Sequence, residues 1–395
     1  MPPPLTQSAD VAALAAELAA AGGFALDLEF VSESRYVPEL ALVQVAWGDA
    51  AQPEVAAVDP LAVDPRPIVE LVGDLAVTTL LHAGHGDLAL LGHLYGARGA
   101  NVLDTQIAAA FLGIGEQVGY APLVERLLGV KLDKTSQFTQ WARRPLTPEQ
   151  LAYALDDVRY LPRVWQELSR RLADRGRLAW VEEESRRMAE AASRRLPPEE
   201  TYRRLKGWSN LNSRQLGALR ALAAWREREA LAGNKPPSWI LQESPLLALA
   251  RRPPKSEAAL EEVRGVSEGT ARRHGRDILA ALRCGWRAPV EPEREPFLSP
   301  VAQSWAAMLS ALIQARSREG DVAARFVASR GDAEALAGWW SLGNRDHEPE
   351  LPLLQGWRRE LAGQAALDWL AGRAALVADE EAPAGLRVAP RGQPD

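Results

Sequence analysis

Gly23-Phe24-Ala25-Leu26-Asp27-Leu28-Glu29-Phe30, near the N-terminus, reads as a β-strand. Phe24, Leu26, Leu28 and Phe30 fall on one side of the pleat and Asp27 and Glu29 on the other, the two-residue alternation of an extended chain. A polar loop, 31–36, follows, and 40–47 returns as a second and more apolar strand. Two neighbouring carboxylates on one strand face repel each other and must be solvated, paired with cations or bound to metal. From this stretch alone, solvated edge-strand acids and a hard-cation site both remain open.

Working outward, residues 8–21 read as a helix with Ser8 or Asp10 as cap and Gly22-Gly23 as stop. Further on, 55–58 reads as a strand, 65–75 as a helix, 78–82 as a strand, 88–95 as an apolar helix, 101–105 as a short buried strand and 106–112 as a helix. Strands with interspersed helices make an α/β domain around a mixed sheet. From 121 the pattern turns helical, with Thr147-Pro148-Glu149-Gln150 as a capping box and Pro162 interrupting the run before 164–195. Leu196-Pro197-Pro198-Glu199-Glu200 reads as a linker, 213–287 as a small helical bundle, 288–296 as a second linker and 299–373 as a third, helical segment. The Pro-, Gly- and charge-rich stretch 377–395 has the composition of a disordered tail.

At 395 residues the chain exceeds one ordinary core, and no run approaches the roughly 18 apolar residues that span a bilayer. The start, Met-Pro-Pro-Pro-Leu-Thr-Gln, lacks the basic and apolar regions of an export signal. The single Cys284 excludes an internal disulfide and a Cys-built zinc site, which fits a reducing cytoplasm. Any metal is therefore held by oxygen or imidazole. The net charge of −6 hides a polarity: residues 205–287 carry 15 Lys/Arg against 8 Asp/Glu. That asymmetry suggests an acidic site in one domain and a polyanion-facing surface in another, although solvated helix faces would read the same.

Two further carboxylates give the acidic pair meaning. Asp87 follows a strand end and a Gly-bearing turn, where a side chain can project over a sheet edge. Asp157 sits on a helix in Tyr153-Ala-Leu-Asp156-Asp157-Val-Arg159-Tyr160, one turn from Tyr153 on the same face. Four carboxylates and a phenol could hold two divalent ions with the Tyr aimed at a water, the arrangement that stabilises both the attacking and leaving oxygens of phosphoryl displacement. Mg²⁺ takes few protein carboxylates and keeps waters and phosphate oxygens, which suits this ligand count.

These stretches resemble the ribonuclease D family of DEDD exonucleases, in its Tyr-bearing subgroup. The resemblance runs over about 20–170: Asp27-Leu-Glu29-Phe30, Tyr36-Val-Pro-Glu-Leu, Val43-Gln44-Val45, His82-Ala-Gly-His-Gly-Asp87, Leu132-Asp-Lys134-Thr-Ser-Gln137, Trp141-Ala-Arg143-Arg144-Pro-Leu146 and Tyr153 to Asp157. It implies a ribonuclease H-like mixed sheet in residues 1–200 and a metal-dependent 3′→5′ exoribonuclease releasing nucleoside 5′-monophosphates. It further implies two Mg²⁺ or Mn²⁺ ions and an RNA partner, with trimming of 3′ ends of stable RNA such as tRNA precursors. By the same resemblance Asp27 bridges both ions, Glu29 and Asp157 complete the shell of the water-activating ion, Asp87 supports the second, and Tyr153 orients the attacking water. No membrane partner is expected, the location is cytoplasmic, and the chain is expected to act as a monomer.

Residues 205–288 resemble an HRDC domain, through Leu219 to Arg226, Asn234 to Ile240, Leu246 to Pro253 and Leu260 to Val266. Residues 297–376 resemble a second, more divergent HRDC-like bundle. Both imply nucleic-acid or partner contact. His82, Lys134, Arg143 and Arg144 are candidates for contacting substrate, with a strand-capping role open for His82. Asp156 is expected as a solvated neighbour, Asp104 as a capping carboxylate, and Trp165, Trp180 and Trp225 as core. A DNA-directed exonuclease would use the same site. An inactive nucleic-acid-binding scaffold would show a broken carboxylate set, and here all four acids and the Tyr are present.

Overall fold

The computed structural model describes residues 2–132, 140–292, 298–343, 345 and 347–391. The N-terminal part runs α1 (Ser8–Ala21), β1 (Gly23–Val31), β2 (Glu39–Trp47), β3 (Glu54–Val58), α2 (Arg66–Val72), β4 (Thr78–Leu81), α3 (His85–Tyr95), β5 (Val102–Asp104), α4 (Thr105–Ala110), α5 (Tyr120–Leu128), α6 (Pro148–Arg159), α7 (Leu161–Asp174) and α8 (Leu178–Ser193). The five strands form one sheet in the order β3-β2-β1-β4-β5. β1 pairs antiparallel with β2 and β2 with β3, while β4 and β5 run parallel to β1, so the sheet is mixed. The strand that carries Asp27 and Glu29 therefore lies at the centre, not at an edge.

Both faces of β1 are covered. Phe24, Leu26 and Leu28 pack with Val11 and Leu18 of α1, Ile68 of α2 and Leu91 of α3. The opposite face carries several small residues beside Leu42: Ala25 and Ala46 meet Val158 and Leu161, and Ala41 and Ala57 meet Leu151, Ala154 and Leu155. Short side chains let α6 and α7 lie close to the sheet on the face that carries the acids. The capping box at Thr147 and Gln150 starts α6 as its spacing predicts. The helical run expected over 164–195 breaks into α7 and α8 around Gly176, whose φ of +66° ends a right-handed helix.

A 3₁₀ turn (Pro198–Arg204) leads to α9 (Ser213–Ala232), α10 (Pro237–Ile240), α11 (Glu243–Arg251), α12 (Glu257–Glu261) and α13 (Glu268–Arg287). The expected linker at 196–200 is thus shorter, because Tyr202 anchors the turn in the core of this helical unit. The long helices α9 and α13 touch backbone to backbone: a Cβ on Gly285 would sit 2.2 Å from the Gly217 carbonyl oxygen.

The third segment comprises α14 (Pro300–Glu319), α15 (Ala324–Val327), α16 (Arg330–Ser341) and a helical run from Gly356 to Leu370. It does not own a separate core. Phe111 of the N-terminal part meets Phe326 and Trp357 at ring-centre distances of 5.2 and 5.1 Å, and Trp357 stacks on Trp180 at 5.0 Å. Leu309, Leu312 and Leu336 belong to the same cluster as Leu123, Val164 and Leu168. The tail expected to be disordered after Val377 folds as a hairpin, β6 (Ala374–Ala378) against β7 (Leu386–Pro390). Leu376 and Val388 face each other across it and rest on that shared core, and Arg387 and Asp379 pair at 2.9 Å. Among the described residues no helix is long and apolar enough to cross a membrane.

Candidate active site

β1 places Asp27 and Glu29 on the face covered by α6, and α6 carries Asp157 to them. One carboxylate oxygen from each of Asp27, Glu29 and Asp157 lies within 4.8 Å of the others. The approach is set by apolar neighbours of Asp157, since Ala154, Leu155 and Val158 are buried against the sheet. The far end of α6 is clamped by Tyr120, whose hydroxyl donates to the Asp156 carbonyl at 3.0 Å and accepts from the Tyr160 amide at 3.2 Å. Tyr153, one turn before Asp157, packs against Trp141 at 6.2 Å between ring centres, and its hydroxyl hydrogen-bonds the Asp157 carboxylate.

Asp87 arrives from the other side of β1, in the first turn of α3. The start of that helix is pinned by Asp104. Asp104 Oδ1 accepts from the amides of Gln106 (2.8 Å) and Ile107 (3.1 Å) to cap α4, while Oδ2 accepts from the Gly84 amide at 2.9 Å. Only glycine fits there, because a Cβ on residue 84 would stand 2.6 Å from the Leu81 side chain. Asp104 is therefore a capping carboxylate that also fixes where Asp87 emerges.

Burial raises the pKa of all four carboxyls, and neighbouring acids add to the rise. Burial raises the Asp27 pKa well above the usual range, with Asp87, Asp157 and Glu29 adding to the rise. Glu29 is pushed up to about 8 by burial and then by Asp157 and Asp87. Asp87 is pushed up to about 7 by burial and by Asp104. Asp157 is also raised to about 7, by burial and by Asp156, against the pull of the Tyr153 hydrogen bond. Every charge acting on these carboxyls is itself a carboxylate. Converging hard-oxygen donors with a shortage of positive charge fit a divalent cation. Burial and the same acids push the Tyr153 phenol far above its ordinary pKa, so it stays protonated.

Other sequence candidates fall elsewhere. His82 is not disposed to touch substrate: its Nδ1 meets Thr105 Oγ1 at 2.8 Å and its Nε2 meets the Val118 carbonyl at 3.1 Å. Burial lowers its pKa, Nε2 donates to the Val118 carbonyl, and the Thr105 hydroxyl beside Nδ1 also reaches the Leu81 carbonyl at 3.0 Å. Arg144 is likewise consumed within the fold. All five of its N–H groups have acceptors, namely both oxygens of Asp59 (2.6 and 2.7 Å) and the carbonyls of Ala41 (2.6 Å), Trp141 (2.7 Å) and Arg143 (3.0 Å). Arg143 is exposed, and Lys134 lies outside the described residues. Asp156 is a solvated neighbour, its side chain 40% exposed, that pairs with Arg159 at 2.9 Å. Sequence reasoning passed over Asp59 and Tyr120, which no spacing rule marks; Gln44 entered it only within the Val43-Gln44-Val45 motif and was given no role.

A family model described as a 3′-5′ exonuclease matches residues 3–173, and one for the HRDC domain matches residues 215–282. The chain is 37% identical to a ribonuclease D of Zymomonas mobilis over 95% of both chains. It is 40% identical to a ribonuclease D of Gluconacetobacter diazotrophicus over 90% of this chain and 89% of that one. The crystal structure of Escherichia coli RNase D, described as an exoribonuclease involved in structured RNA processing, superposes with a TM-score of 0.82 at 32% identity, covering 93% of this chain and 98% of that one.

Proposed function

The chain belongs to the ribonuclease D family, and from that premise we propose that it is a metal-dependent 3′→5′ exoribonuclease that releases nucleoside 5′-monophosphates, with Asp27, Glu29, Asp87 and Asp157 as its metal ligands and Tyr153 as its water-orienting residue. The observation that carries this reading is the convergence of the Asp27, Glu29 and Asp157 oxygens within 4.8 Å, with Asp87 near enough to raise the pKa of two of them. Divalent cations, two of them Mg²⁺ or Mn²⁺ in this reading, supply charge neutralisation at the scissile phosphate and an acidified water.

The chain's own residues do the rest. Asp27, on the central strand and the one acid of the four whose pKa the other three all raise, would help hold both cations; Glu29 and Asp157 would help hold one and Asp87 the other. Tyr153 stays protonated over the working pH range, so it orients by donating its O–H and does not act as a base. Trp141 backs the phenol ring and limits its rotation. Arg143, exposed on the segment that carries Trp141, is the remaining described candidate among the basic residues for a phosphate contact. The HRDC domain, in a region with 15 Lys/Arg against 8 Asp/Glu, holds RNA by its backbone without reading sequence. Stable RNA 3′ ends such as those of tRNA precursors are the proposed substrates, met in the cytoplasm by a monomer.

The test is a 3′-labelled RNA incubated with Mn²⁺ and either the parent or Asp27→Asn. Loss of nucleotide release in the variant is expected, and turnover at the parent rate would refute the assignment. Matched single strands differing only in the 2′-OH separate RNA from DNA, since equal turnover would favour a DNA-directed enzyme.

A further inference from the structure

Gln44 stands in the middle of β2, in a strand otherwise built from Leu40, Ala41, Leu42, Val43, Val45 and Ala46. Its side chain is 0% exposed, and among the described residues neither its amide nitrogen nor its amide oxygen has a hydrogen-bond partner. A buried carboxamide with both ends unpaired is unfavourable wherever an apolar side chain would fit, and every neighbour along this strand is apolar. The sheet register says what it faces. Gln44 lies directly opposite Asp27 on one side and Ala57 on the other. Directly opposed residues share a face with their Cβ atoms about 5 Å apart. Along its own strand the same-face neighbours are Leu42 and Ala46. Asp27 is thus the one polar side chain in its cross-strand row.

We propose that Gln44 is a positioning residue for Asp27: its buried, unpartnered carboxamide donates a hydrogen bond to the Asp27 carboxylate when that carboxylate holds a divalent cation. An ionised carboxylate has about four acceptor sites, and cation binding leaves some of them free. Carboxylates that ligate metals are themselves held by hydrogen bonds, which fix their orientation. A neutral amide can do this where a Lys or Arg could not, because a buried positive charge would compete with the cation for the same oxygens. The inference rests on the metal-binding reading above.

The experiment measures Mn²⁺ binding without RNA, by calorimetry and by the electron spin resonance of free Mn²⁺, in the parent, Gln44→Met and Gln44→Leu. Met keeps the length of the side chain, so it serves if Leu leaves a cavity. The expected result is about a ten- to hundred-fold loss of Mn²⁺ affinity in the folded variants, with thermal unfolding of the chelated protein unchanged or raised. Affinity within two-fold of the parent, with raised thermal stability, would make Gln44 a packing residue and overturn the inference alone. A parent that binds no Mn²⁺ would overturn both this inference and the metal-binding reading.

Discussion

Arg144 grips Asp59 through two near-parallel bonds of 2.6 and 2.7 Å, and Asp59 is 6% exposed. The remaining N–H groups of Arg144 reach the carbonyls of Ala41 on β2 and of Trp141 and Arg143. The segment that precedes α6 is thereby tied to the sheet, and with it the Trp141 ring that backs Tyr153. Replacing Arg144 with Ala strands a buried carboxylate, so a loss of about 3 kcal/mol in urea unfolding is expected. Lys should rescue little, since it cannot supply the forked geometry. The salt dependence of RNA binding should stay at the parent slope. A slope lower by about 0.7, the value of one phosphate contact on a single strand, would return Arg144 to the substrate.

Burial of the site carboxyls, reinforced by neighbouring acids, gives the chelated protein a pH dependence. Glu29 titrates near 8 and Asp87 and Asp157 near 7 when folded, against about 4 for free carboxyls. Between those limits the folded state binds more protons than the unfolded one, so stability falls as pH rises from about 4 to about 8. The melting temperature in a chelator should therefore be lower at pH 8 than at pH 5.5, and Asp27→Asn should flatten the difference. Mn²⁺ should restore stability at pH 8 and release protons on binding near pH 7, read as a buffer-dependent heat. A melting temperature that rises with pH in chelator would contradict the charge balance described here.

Much of this was legible in the residues. The alternation of Phe24, Leu26 and Leu28 against Asp27 and Glu29 marks a strand with one apolar face, and Thr147 with Gln150 marks the start of α6. What the alternation could not say is that the acidic face would be covered, because that depends on Ala25, Ala41, Ala46 and Ala57 being small enough to admit α6. The partners of His82 and Arg144 were hidden for a related reason. A basic side chain in a polar stretch looks free until its acceptors, Val118 and Asp59, are brought from 36 and 85 residues away. The hairpin of β6 and β7 was hidden by composition, as Pro, Gly and charges in the turn masked two short alternating strands.

Tyr153 offers a prediction that separates orientation from acid–base work. Tyr153→Phe removes the hydroxyl that hydrogen-bonds Asp157 but leaves the ring against Trp141. Single-turnover RNA cleavage should slow by about 10²- to 10³-fold. Mn²⁺ affinity should change little, since the phenol is not a ligand in this reading. The pH–rate profile of the slowed variant should keep the inflections of the parent, because a protonated phenol contributes none below its raised pKa. A lost inflection would make Tyr153 a proton donor or acceptor.

Trp357 tests how far the third segment is part of the N-terminal domain. It lies more than 300 positions beyond β1 and β2, two residues before the π-wound stretch Arg359–Gly363, yet it is 4% exposed and stacks on Trp180 of α8 at 5.0 Å. Its neighbour Arg358 donates to Glu183 at 3.1 Å and is paired with Glu184, again on α8. α8 in turn supplies Ser185, whose hydroxyl accepts from the Asp104 amide at 3.1 Å, and Asp104 pins the turn that presents Asp87. Trp357→Ala should therefore lower stability by about 3–5 kcal/mol in a single cooperative transition that includes the N-terminal sheet. Truncation after residue 292 should expose Phe111 and Trp180 and yield an aggregating protein, where a bundle with its own core would leave a soluble, cleaving remnant. Two resolved unfolding transitions in the full chain, with the sheet melting unchanged in Trp357→Ala, would show that the two parts are energetically separate despite their shared contacts.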